Sequence, residues 1–213
     1  PVAQPISQAM GVPVSLYYDG HAWVAGEWWC GAARGAADVA LLAVGTGIGG
    51  GLILGNRLHR GRVGVAGAVG WWVADRPQAC GRTASEGWLE SLASGPAIAR
   101  AAGQGTAEEA FAAARAGDAR AQQAVAQAAQ VLGAAAANLV SLVDPEVVVF
   151  AGGVMVGGAD LLLPGISDVV RREAQPQIAR QVRLVAAELG EDAAWLGAAR
   201  LALLHTEGEE AGV

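Results

Sequence analysis

The stretch Gly45-Thr46-Gly47-Ile48-Gly49-Gly50-Gly51, directly after the apolar residues 39–44, limits the possible folds more than any other part of this chain. Glycine tolerates positive φ and lets backbone N–H groups approach an anion without side-chain obstruction. Gly45, Gly47 and Gly50 satisfy the dinucleotide pattern GxGxxG, but that fold needs a helix to open inside the run and an acid about 20 residues further on. Here the run feeds Leu52-Ile53-Leu54, the turn pair Gly55-Asn56 and a second short extended piece at 57–59, while the first acid, Asp75, lies too far along. The pattern therefore predicts a β-hairpin with a glycine-rich turn. Such a turn is either a phosphate cradle or a tight bend that binds nothing.

The rest of the chain alternates in character. Extended segments are expected at residues 12–17, 38–44, 146–150 and 182–186. Helices are expected at 21–34, from Trp88, from Pro96, from the capping box Thr106-Ala107-Glu108-Glu109, from Asp118 to about Val143, at 159–173 and at 193–204. Strands separated by helices give an α/β fold whose sheet is buried on both faces. Gly152-Gly153 follows the apolar strand 146–150, the position where such sheets bind ligands at strand carboxyl ends, and suits a base or ribose or else a plain turn. The alanine-rich helix face between 119 and 140 is a candidate self-association surface.

Composition removes several function classes. With 53% apolar and 16% charged residues the chain is not a disordered one. It has no lysine, which excludes a Walker-type phosphate lysine, a pyridoxal Schiff base and a Ser-Lys nucleophile. A net charge of −6 argues against a nucleic-acid surface on this chain. Cys30, Cys80, His21, His59 and His205 have no metal-ligand spacing, and cysteine so sparse fits a reducing cytoplasm. The longest apolar stretches are interrupted by Gly, Arg or Asp before about 18 residues, so neither a membrane span nor an export signal is expected. Asp19, before Gly20, is either a general base at a cleft or half of an Asp-Gly turn; Glu90, alone, reads as a helix-surface acid.

Together these segments resemble the ROK family of repressors, open reading frames and sugar kinases. The resemblance rests on Gly11-Val12-Pro13-Val14 with Asp19, Gly26-Glu27, the stretch 44–54, Arg60-Gly61, Gly67 and Gly70, Leu89-Glu90 through Gly95-Pro96, Asp144-Pro145-Glu146 and Gly152-Gly153. It implies an actin-like (ribonuclease H-like) lobe with a mixed sheet flanked by helices, residues 1–213 forming the C-terminal half of a two-lobed protein whose preceding lobe lies outside this sequence. It also implies Asp19 as catalytic base, Gly45, Thr46, Gly47, Gly49 and Gly50 at the nucleotide phosphates, Gly152 and Gly153 at the base or ribose, and Glu90 on a sugar. ATP and Mg²⁺ are the cofactors if the protein is a kinase, a homodimer is expected, and DNA would be met only through a domain not in this chain.

The departures from the family pattern are equally informative. Tyr17-Tyr18-Asp19-Gly20-His21 stands where the family carries amide-bearing neighbours of the base. Gly67-Ala68-Val69-Gly70-Trp71 stands where it carries a sugar-binding Glu and a zinc-binding His, and the run from Cys80 to Trp88 has lost the family's zinc loop, so no structural zinc is expected. Each unpaired sugar hydroxyl costs about 1–3 kcal/mol. Tyr18 and Trp71 could instead stack on a sugar, and His21 could replace an amide donor. On these substitutions the expected function is a sugar-sensing regulator lobe that binds a ligand and dimerises. The alternatives are an ATP-dependent hexose kinase and a noncatalytic interaction domain.

Overall fold

A computed structural model describes residues 2–73 and 87–206. In chain order these form α1 (Ala3–Met10), α2 (Asp19–Cys30), β1 (Val39–Val44), β2 (Ile48–Leu54), β3 (Arg57–Leu58), a short 3₁₀ turn (Val69–Trp71), α3 (Trp88–Ala93), α4 (Gly95–Ala102), α5 (Ala107–Arg115), α6 (Ala119–Val143), β4 (Val147–Ala151), α7 (Gly153–Glu173), α8 (Pro176–Ala179), β5 (Arg183–Ala186) and α9 (Asp192–Thr206).

The strands make one mixed sheet in the order β3-β2-β1-β4-β5. β1 pairs antiparallel with β2, with Leu42 opposite Gly50 and Val44 opposite Ile48. It pairs parallel with β4, with Val39 opposite Val147 and Ala43 opposite Ala151. The turn between β2 and β3 has positive φ at both Gly55 and Asn56, the backbone a two-residue hairpin of the primed type requires. No helix begins inside residues 45–51; the glycine run joins two antiparallel strands, as the sequence pattern predicts.

Because side chains alternate along a strand, the sheet feeds two cores. Ala40, Leu42, Val44, Val148 and Phe150 face a layer built from α3 to α7. Val39, Leu41, Val147, Val149 and Ala151 face α2 and α9. The sheet is thus buried on both faces and its strands read as continuous apolar runs. Small residues let the first layer pack closely: Gly158 of α7 lies under the Phe111 ring, where any side chain would collide.

Helix starts follow local chemistry. Thr106 and Glu109 form the reciprocal capping box of α5, and the Asp118 carboxylate accepts the Ala121 N–H at 2.8 Å to open α6. Four details depart from the sequence reading. Residues 12–17 form no strand; Pro13 lacks an N–H, Val12 and Leu16 are exposed, and no ladder partner lies beside them among the described residues. α7 begins at Gly153 and not at 159, because its first turns tolerate Gly157 and Gly158 where helix propensity alone argues against them. α2 begins at Asp19, two residues earlier than expected, and ends at Cys30. Finally, the alanines of α6 proposed for self-association are largely spent inside the chain: Ala121, Ala124, Ala128, Ala129 and Ala136 are buried.

α6 and α7 are each long and apolar enough to cross a membrane by length and composition. Both instead lie in the layer that covers the sheet, with Leu132, Leu139, Leu162 and Ile166 in its core.

Candidate active site

The cleft opens where β1 and β4 end side by side, the crevice at strand carboxyl ends that open α/β sheets use for ligands. Its volume is about 390 Å³, and it is lined by Tyr18, Asp19, Gly20, Trp23, Ala43, residues 45–49, Glu90, Gly152 and Gly153. One wall is the glycine loop, a second is the start of α2, a third is α3, and the far side is the entry into α7.

Asp19 is the first residue of α2 and is exposed. Its Oδ1 accepts the Gly20 N–H at 2.8 Å. Asp19 is itself part of the cleft lining.

The glycine loop is held from behind. The Gly45 N–H donates to the Gly47 carbonyl at 2.9 Å, and the Gly45 carbonyl accepts the Gly95 N–H at 2.8 Å. Glu90 Oε2 accepts the Ile48 N–H at 3.0 Å. A methyl group built on Gly47 would lie 2.8 Å from that same oxygen, and one on Gly49 would lie 2.8 Å from the Tyr18 hydroxyl. Gly47 and Gly49 are therefore glycine because protein groups fill the space. A methyl on Gly45 or Gly153 would instead meet nothing within 4 Å. Both line the cleft, so the space beside them is open to a ligand.

Gly152 has φ +89° and lies so close to the Val44 backbone that no side chain fits. It caps the 21-residue α7 through its carbonyl, which accepts the Met155 and Val156 N–H groups at 2.9 and 3.1 Å, and no side chain caps the helix. The positive end of α7 thus points at the cleft, a setting suited to phosphate.

Tyr18 is half-buried, and its phenol is pushed above the ordinary tyrosine range, first by burial and then by the Asp19 carboxylate, against the pull of the Gly50 N–H. It stays a neutral O–H group over the loop. His21 is fully buried. Its Nε2 lies 2.9 Å from the Ala66 carbonyl, its Nδ1 has no hydrogen-bond partner among the described residues, and its ring meets Tyr18 edge-on at 5.4 Å. Burial, followed after the opposing Ala66 contact by Arg60 and His59, holds its pKa below the usual histidine value.

The structure therefore brings together Asp19, Tyr18, Glu90, Gly45, Thr46, Gly47, Gly49, Gly152 and Gly153. Gly50 sits behind the loop, against the Gly67 carbonyl. His21 faces Ala66, outside the cleft lining, and Trp71 is 54% exposed and also outside it. Trp23 lines the cleft and was not singled out from sequence. It lies four residues after Asp19 and so shares its helix face, a signal readable only once the start of α2 is known.

Trp71 occupies the position that the family resemblance assigns to a zinc-ligating histidine, and an indole supplies no such ligand. The described residues contain no group of three His, Cys, Asp or Glu placed to hold a metal. Cys80 and the expected zinc-loop remnant up to Glu86 lie outside the described residues.

The ROK family model matches residues 1–205. Among curated relatives, the bifunctional enzyme NanE/NanK of Brucella melitensis is 41% identical over 211 residues, covering 96% of this chain and 38% of its own length. The glucokinase of Halalkalibacterium halodurans is 34% identical, covering 92% of this chain and 66% of its own length. Among solved structures, the ROK hexokinase of Thermus thermophilus superposes with a TM-score of 0.87 at 36% identity, over 98% of this chain and 71% of that one. A ROK glucokinase from Streptomyces griseus in complex with glucose and AMPPNP gives 0.82 at 33%, over 94% and 72%. A ROK transcriptional regulator described as a homologue of the E. coli MLC protein gives 0.84 at 27%, over 93% and 54%. The fold is the family's, an α/β lobe with a mixed sheet. The sequence reading placed the regulator ahead of the kinase; these relatives, kinases at higher identity than the regulator, favour the reverse order.

Proposed function

This chain belongs to the ROK family, and on that premise we propose that it supplies the base-bearing lobe of an ATP-dependent sugar kinase. The observation that carries the reading is one cleft lined by an exposed carboxylate, Asp19, together with Gly45 and Gly153, beside which the space is open. The nucleotide phosphates lie between the Thr46 turn and the start of α7, with Mg²⁺ entering as part of the nucleotide complex. Gly152 and Gly153 border the ribose side, and a homodimer remains the expected assembly.

The acceptor sugar lies against Tyr18, Trp23 and Glu90. Asp19 takes the proton of the acceptor hydroxyl as that oxygen bonds to the γ-phosphorus; the bond from the γ-phosphorus to the bridging oxygen breaks, and ADP leaves with the electron pair. Catalysis is mostly positioning and charge stabilisation, which suits a site built largely from main chain.

The test is sugar-dependent ADP release by the full-length protein across hexoses and N-acylhexosamines. Turnover on at least one acceptor is expected. Ligand binding without any turnover would favour the regulator reading, for which the loss of polar side chains at Ala68 and Trp71 speaks.

A further inference from the structure

The family resemblance implies that Glu90 meets a sugar. The structure shows that half of its carboxylate is already engaged. Oε2 accepts the Ile48 N–H at 3.0 Å and fills the space that side chains on Gly47 and Gly70 would need, at 2.8 and 3.2 Å. Five residues on, the Gly95 N–H holds the Gly45 carbonyl at 2.8 Å. One short segment, from the first turn of α3 to the start of α4, thus grips the glycine loop at Ile48 and at Gly45. Between the paired ends of β1 and β2 the turn also closes on itself, the Gly45 N–H donating to the Gly47 carbonyl at 2.9 Å.

We infer that Glu90 is a positioning residue for the nucleotide loop, its Oε2 clasping Ile48 while Oε1 remains for an acceptor hydroxyl, so that one carboxylate couples the two halves of the cleft. A purely acceptor-binding glutamate has no influence on nucleotide affinity when no acceptor is present. A clasp does, because a glycine-rich loop that loses its anchor must be ordered by the nucleotide itself. An acceptor that hydrogen-bonds Oε1 fixes the carboxylate further and so tightens nucleotide binding, and by reciprocity the nucleotide tightens the acceptor.

The inference rests on the kinase reading, and the experiment separates the two. MgAMPPNP affinity is measured on the full-length protein with no sugar present, for wild type, Glu90→Ala and Glu90→Gln. Glu90→Ala should weaken binding about tenfold, the size of one lost charge-assisted hydrogen bond. Glu90→Gln keeps an oxygen for the Ile48 N–H and should restore most of that affinity while still impairing the acceptor. In parallel, exchange of the Ile48 amide in the nucleotide-free protein should accelerate in Glu90→Ala and not in Glu90→Gln. Equal nucleotide affinity and equal Ile48 exchange in all three proteins would overturn the clasp alone. Wild type that binds no nucleotide would overturn the clasp together with the kinase reading.

Discussion

The two ends of the cleft are made of different material. The end proposed for the nucleotide is main chain: the Gly45–Gly47 turn, the Gly152 cap and the first turn of α7, all placed by where β1 and β4 stop. The end proposed for the acceptor is side chains: Tyr18, Asp19, Trp23 and Glu90, whose directions depend on helix phase and packing. Backbone sites are fixed once the elements are right. Side-chain sites change with single substitutions while the fold stays the same, and Tyr18 at that end is one of the positions where this chain departs from the family pattern.

The contrast can be broken most forcefully at Asp19. Asp19→Asn should lower kcat about a thousandfold, within the range of general-base loss, and leave MgAMPPNP affinity unchanged. Comparable activity in the variant would remove the acceptor end from the chemistry. Next in size, Gly45→Val should weaken MgAMPPNP binding about tenfold or more with little change in melting temperature, since the added side chain meets only open cleft. A large loss of stability with unchanged nucleotide affinity would show Gly45 to be structural. Trp23→Ala should raise the acceptor KM about fivefold by deleting an apolar wall, without altering nucleotide affinity. The same change at exposed Trp71 should leave that KM where it was.

The smallest effect concerns His21. Its folded-state pKa is lowered, mainly by burial, so the unfolded chain binds the proton more readily. Stability is then fully present above the unfolded value of about 6.5 and is lost as pH falls through the lower folded pKa. Urea midpoints of the wild type should therefore drop between pH 7 and pH 5, and His21→Gln should flatten that slope. A variant with the wild-type slope would assign the acid sensitivity to other groups.

The same division explains how much could be read from the chain before its structure. The β1–β2 hairpin was legible because a glycine run followed by Leu52-Ile53-Leu54 and Gly55-Asn56 has only one economical backbone. Gly152 was legible because an apolar strand leading into two glycines forces a strand-to-helix turn. His21 was not. At about 100° per residue it lies some 200° around α2 from Asp19, on the side that meets Ala66, whereas Trp23 lies about 40° from Asp19 and faces the cleft. Placing the helix start at His21 instead of Asp19 hid that phase. Glu90 could be placed at the site only through family resemblance, because nothing in a local sequence tells that a helix acid will reach the Ile48 N–H 42 residues earlier.

Phosphate is proposed to lie between the Thr46 turn and the start of α7. A crystal structure of the full-length protein with MgAMPPNP tests it directly. The phosphate oxygens are expected within hydrogen-bond distance of the Thr46 and Gly153 main chain, with the γ-phosphate facing Asp19. A nucleotide bound elsewhere, or one whose phosphates point away from Gly45 and Gly153, would contradict it.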